Sequence, residues 1–118
     1  MIEGLWVAKF LEPTSDEFDL DSGVLVIESG RVLGGDSGYY YVGQLTPAER
    51  GWKANVTVVR HDPKITSFFG DSSRMEFGGS FLRAGVDQLN RDTLIAELKM
   101  EENPNFLKVL LTKVADLP

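Results

Sequence analysis

Eight short runs of alternating character, each bounded by turn-forming residues, leave this chain few folds to choose from. They fall near residues 4–11, 22–29, 31–35, 39–46, 52–61, 74–83, 93–101 and 106–114. In the fifth, Trp52, Ala54, Val56 and Val58 alternate with Lys53, Asn55, Thr57 and Val59. In the seventh, Leu94, Ala96, Leu98 and Met100 alternate with Ile95, Glu97 and Lys99. In the last, Leu107, Val109 and Leu111 oppose Lys108, Leu110 and Thr112. A period of two sends successive side chains to opposite faces of a strand, so one face of each run can line an interior.

The connections are short enough for sequential antiparallel pairing. Ser29-Gly30 reads as a two-residue hairpin. Thr46-Pro47-Ala48-Glu49 has the form of a capping box with proline at the first helical position, which predicts a single helical turn before Gly51. Glu102-Asn103-Pro104-Asn105 joins the last two runs, and longer loops are expected only at about 12–21, 62–73 and 84–92. With no repeat and no linker, residues 1–118 form one domain. The expected fold is all-β: an eight-stranded antiparallel up-and-down barrel with at most short helical turns, preferred to a sandwich because closure removes exposed edges. Gly43, Gly78 and Gly79 suit sharp bends in its wall.

That pattern places Trp6, Phe10, Leu25, Ile27, Tyr41, Val56, Val58, Phe77, Leu98 and Val109 on the concave side. They are core residues first, and candidates for a lipid or other apolar ligand if the barrel is not filled, since eight strands enclose just enough room for one small molecule. Val24, Val26, Leu33, Ile95 and Leu110 then face outward. Apolar side chains on an outer wall invite a second copy about a two-fold axis, so a homodimer is expected.

Charge and composition exclude several classes. The net charge is −6; residues 1–59 carry nine acidic and four basic side chains, and residues 60–118 nine and eight. Neither half supplies the basic stripe that neutralises phosphates, so no direct nucleic-acid contact is expected, and a basic protein partner suits the surface better. No apolar run approaches the roughly 18 residues of a membrane span. Met1-Ile2-Glu3-Gly4 lacks the basic start of a secretory signal, and cysteine is absent, so a reducing cytoplasm is the expected location.

Candidate chemistry is thin. Gly35-Asp36-Ser37-Gly38 spells the nucleophile motif of trypsin-like serine proteases, but the single histidine, His61, follows the serine, and that protease fold needs two barrels. A glycine-rich turn opening a tyrosine-rich strand is the better reading. His61-Asp62 before Pro63 reads as a loop histidine beside a carboxylate. The acidic stretch Asp16-Glu17-Phe18-Asp19-Leu20-Asp21 lacks the glycine and terminal glutamate of an EF-hand loop and reads as solvated. No catalytic residue, metal ligand or cofactor is expected.

One resemblance goes further. Gly4-Leu5-Trp6, Gly23-Val24-Leu25-Val26, Gly30-Arg31-Val32-Leu33-Gly34-Gly35-Asp36-Ser37-Gly38-Tyr39, Tyr41-Val42-Gly43, Val56-Thr57-Val58-Val59-Arg60-His61 and Ser67-Phe68-Phe69-Gly70, in that order, resemble the GrlR-like family, whose best-known member is a negative regulator of type III secretion in enteric bacteria. The resemblance implies a lipocalin-like (calycin-like) barrel, a homodimer, and non-enzymatic regulation through a transcription-activator protein. Where that regulator presents an acidic run to its partner, this chain has Pro47-Ala48-Glu49-Arg50, with one acid and one base. These four positions are the partner-loop candidates. Two classes stay open: a regulator acting through its surface, and a carrier or sensor with a ligand inside the barrel.

Overall fold

The computed structural model describes residues 2–11, 18–64, 73–102 and 106–118. Eight strands run through them: β1 (Gly4–Leu11), β2 (Phe18–Glu28), β3 (Arg31–Gly35), β4 (Tyr39–Pro47), β5 (Trp52–Arg60), β6 (Arg74–Val86), β7 (Asp92–Lys99) and β8 (Phe106–Ala115). Each pairs antiparallel with the next, and β8 returns to β1, so the sheet closes into an eight-stranded barrel. Closure gives every strand two hydrogen-bonded neighbours, although β2 pairs with β3 only over Val24–Glu28. No described residue is helical.

Local chemistry explains most boundaries. At the β2–β3 turn Ser29 and Gly30 both have positive φ, 51° and 75°, the backbone of a type I′ hairpin whose twist matches that of its strands. The helical turn expected at Thr46-Pro47-Ala48-Glu49 does not form. The β4–β5 ladder continues to Pro47 opposite Trp52, leaving only Ala48–Gly51 outside it, and Ala48 N donates to Gly51 O at 3.0 Å. Pairing each residue in the sheet outcompetes one isolated helical turn, whose nucleation is costly. Gly51, at φ 63°, completes the reversal.

Two loops are shorter than expected. β2 begins at Phe18 and takes in the last four residues of the acidic stretch, while Asp16 and Glu17 lie outside the described residues, as do Ser67–Gly70 and Asn103–Asn105. β6 continues to Val86, past a register shift between Arg83 and Val86. The remaining β6–β7 turn is organised by Asp87. Its Oδ1 accepts from Leu89 N and Arg91 N, and its Oδ2 pairs with the Arg91 guanidinium at 2.7 Å. Of the three glycines expected at bends, Gly43 and Gly79 lie hard against a neighbouring carbonyl. A Cβ on Gly79 would sit 1.9 Å from Glu97 O. Gly78 has no such constraint.

The barrel has two unlike ends. At one lie the tight β2–β3, β4–β5 and β6–β7 turns and both chain termini. Here Trp6, Ile27, Leu45, Ala54 and Leu94 are buried in the core, and Trp6 Nε1 donates to Ile2 O at 2.9 Å, tying the N-terminal segment back to β1. At the other end are the β1–β2, β3–β4, β5–β6 and β7–β8 connections. This end is the mouth.

Candidate functional site

The Gly-Asp-Ser-Gly stretch forms the β3–β4 connection at the mouth, and Asp36 is its organiser. Oδ1 accepts from Gly38 N (2.9 Å) and Tyr39 N (2.8 Å), as an aspartate does when it folds a turn around its own side chain. Oδ2 accepts from the Tyr41 hydroxyl. Gly23 makes room for that contact, since a Cβ there would stand 2.7 Å from Tyr41 Oη. The Tyr41 ring also meets Phe10 edge-on, with centroids 6.1 Å apart.

His61 braces the same turn from β5. Its Nε2 lies 3.0 Å from Asp36 O, a carbonyl that can only accept, so Nε2 carries the proton. His61 N and Asp62 N both donate to Gly38 O. The apparent protease motif is therefore a turn in which aspartate and histidine hold backbone groups. Asp62 turns the other way, its Oδ1 accepting from Lys64 N at 3.0 Å.

Behind this turn lies a cavity of about 150 Å³. Its walls are inward residues that include Phe10, Leu25, Tyr41, Val56, Val58 and Phe77, with Leu98, Leu107, Val109 and Leu111 on β7 and β8, and it reaches Val32 and Phe81 toward the packed end. Ser22 and Ser37, both exposed, mark where it reaches the surface, with Asp36 beside them. Among the described residues lining it there is no lysine, arginine or histidine. Tyr39 also lines it and is only 5% exposed, yet its hydroxyl has no hydrogen-bond partner among the described residues. An unpaired buried hydroxyl is costly, and native proteins rarely retain one without a use.

Of the ten interior residues expected from alternation, all face inward, and eight line the cavity: Phe10, Leu25, Tyr41, Val56, Val58, Phe77, Leu98 and Val109. Trp6 and Ile27 are buried in the packed end, outside it. The polar members Asp36, Ser37 and Tyr39 were absent from that interior set. Tyr39 was legible, because it shares the parity of Tyr41; Asp36 and Ser37 were not, because a turn has no alternation to follow.

The outer wall carries its own pattern. Register partners Leu5, Val26, Leu33 and Val42 follow one another across β1 to β4, and Val7, Val24, Gly35, Tyr40 and Val59 form the adjacent row through β5. Leu33 is 50% exposed, Val24 49%, Val42 46% and Tyr40 43%. Ile95 and Leu110 pair with each other on another part of the wall and are half-buried, as is Val26. Pro47, Ala48, Glu49 and Arg50 are all exposed, at the packed end. Among the described residues no three histidine, cysteine, aspartate or glutamate side chains converge as a metal site would require, and no helix is long and apolar enough to cross a membrane. No protein-family model matches the chain, and no curated protein matches it.

Proposed function

We propose that this chain is a non-enzymatic regulatory protein that acts by binding other protein surfaces: a second copy of itself, and a partner of the transcription-activator class that the GrlR-like resemblance implies. The observation that carries this reading is the paired apolar rows on the outside of β1 to β5. Inward residues supply the core, and Val24, Leu33, Tyr40 and Val42 leave 43–50% of their surface exposed on the outside. Contiguous exposed apolar surface of this kind marks an interaction face. The absence of cysteine supports a cytoplasmic site of action, and the net charge of −6 supports a basic protein partner over nucleic acid.

The test is a Leu33→Glu substitution, which changes an exposed position and leaves the interior intact. Wild-type protein should scatter light as a dimer, twice 13.1 kDa, and the variant as a monomer with an unchanged melting temperature. The variant should also lose its effect on transcript levels when it replaces the wild type in its host. A wild-type monomer at micromolar concentration, together with full regulation by the variant, would refute the reading.

A second reading is favoured by the cavity and the unpaired Tyr39 hydroxyl: a barrel that carries or senses a lipid or other apolar small molecule. Native mass spectrometry of the purified protein separates it from the first, because a retained molecule adds mass to each subunit whereas a surface interaction adds none.

A further inference from the structure

The cavity's size, wall and single unpaired polar group together narrow what it can hold. Its volume of about 150 Å³ matches engineered apolar cavities that admit one benzene ring. It does not reach Trp6, Ile27, Leu45 or Leu94, which are 6% exposed or less and lie outside its lining. A long chain lying wholly inside is thereby excluded.

The polar groups then sort the compact candidates. Asp36 accepts at Oδ1 from the amides of Gly38 and Tyr39 and at Oδ2 from Tyr41, and as an acceptor-only carboxylate it offers an incoming molecule negative charge and no donor. With no basic side chain among the described lining residues, a carboxylate ligand would be desolvated without a counter-charge, which is strongly unfavourable. Among the described residues Tyr39 Oη is the buried side-chain group without a partner, and a phenol hydroxyl can either donate or accept.

We propose that the mouth cavity is a binding site for a compact, uncharged ring compound bearing one hydroxyl or carbonyl group, which hydrogen-bonds to the Tyr39 hydroxyl while its ring lies among Phe10, Val56, Phe77 and Val109. The proposal rests on the second reading above, that the barrel interior takes a small molecule, and specifies its class. Binding supplies the partner that Tyr39 lacks, so the ligand is recognised by a group whose burial is otherwise a cost.

Three probes of one shape test it: phenol, toluene and benzoate, titrated into the purified chain at neutral pH and followed by ligand-observed NMR. Phenol should bind roughly three- to tenfold more tightly than toluene, the worth of one net hydrogen bond. Benzoate should bind at least about tenfold more weakly than phenol, as an unpaired buried charge requires. Tyr39→Phe, which keeps the ring and removes only the hydroxyl, should leave toluene affinity unchanged and bring phenol down to it. Val58→Phe, placing a larger side chain in the cavity wall, should weaken both; if circular dichroism shows that this variant is unfolded, Tyr39→Phe decides alone. An unchanged phenol-to-toluene ratio in Tyr39→Phe, or benzoate binding as well as phenol, overturns the proposal while leaving the interior a ligand site. Failure of every ring to bind at millimolar concentration, or full affinity in a folded Val58→Phe, overturns the interior reading itself.

Discussion

The packed end and the mouth of this barrel are built from the same eight alternating strands, yet one is solid and the other is not. At the packed end Trp6, Ile27 and Leu94 are fully buried inside the wall, and two-residue or four-residue turns join the strands there. At the mouth, the inward positions are held by residues that reach out to the rim: Tyr41 toward Asp36, and Phe10 toward Tyr41. Phe10 and Tyr41 line the cavity, whereas Trp6, 1% exposed, is buried outside it. The lesson is that inward parity alone does not fill a barrel, since inward residues line a cavity in one region and are fully buried in another.

Carboxylate substitutions give the sharpest break between the two ends. Ile27→Asp should cost several kcal/mol, roughly the whole stability of a domain this size, because the charge has no route to water from a side chain that is 0% exposed. Val58→Asp should cost only about 1–2 kcal/mol, since Val58 is half-buried and lines a cavity that reaches the surface. Thermal denaturation of both decides it; equal losses would mean that the mouth is as tightly closed as the packed end.

Asp36→Ala comes next, at about 2 kcal/mol destabilising. It removes the acceptor for two backbone amides and one of Tyr41's partners, within a turn that the His61 ring also holds. Urea titration measures the loss, and a variant as stable as wild type would show that the mouth turn is dispensable to the fold.

Tyr39→Phe should move the other way, stabilising the unliganded protein by about 1 kcal/mol, because it deletes an unsatisfied buried hydroxyl. A lowered melting temperature would reveal a partner for that hydroxyl outside the described residues.

The smallest effect belongs to Asp87, in the exposed turn at the packed end. The Arg91 side chain, hydrogen-bonded to its carboxylate, is the main cause holding its pKa below the ordinary value, with the Arg91 and Leu89 amides adding to it. A carboxyl whose folded pKa is depressed contributes stability above its unfolded pKa and loses it as pH falls through the folded one. Asp87→Asn should therefore melt slightly below wild type at neutral pH, and the difference should vanish in acid. A constant difference across that range would assign the effect to hydrogen-bond geometry, independent of charge.

Much of this was readable beforehand for a simple reason. Period two reports which face of a strand a residue occupies, so the inward set from Trp6 to Val109 and the outward Val24 and Leu33 follow from parity alone. The Ser29-Gly30 hairpin was legible because its backbone demands residues that tolerate positive φ. The capping box at Thr46 misled because its residues favour a helical turn locally, while continued pairing of Pro47 with Trp52 was a long-range contribution that local sequence does not carry.

Height along the barrel was not readable at all. The register row that begins at Trp6 in the packed end passes through Leu25, Gly34 and Tyr41 and arrives at Val58 beside the mouth cavity. Strands tilt when a sheet closes, so a row of paired residues climbs the wall. The sequence by itself determined that eight strands would form, where most of them turn, and which side chains face inward, because those depend on backbone preferences and a two-residue period. Only the tertiary structure decided that Trp6 would be buried outside the cavity, that a cavity would remain behind the mouth, and that Asp36 and Tyr39 would border it. Those outcomes depend on strand tilt and closure, which bring residues from all eight strands into one space.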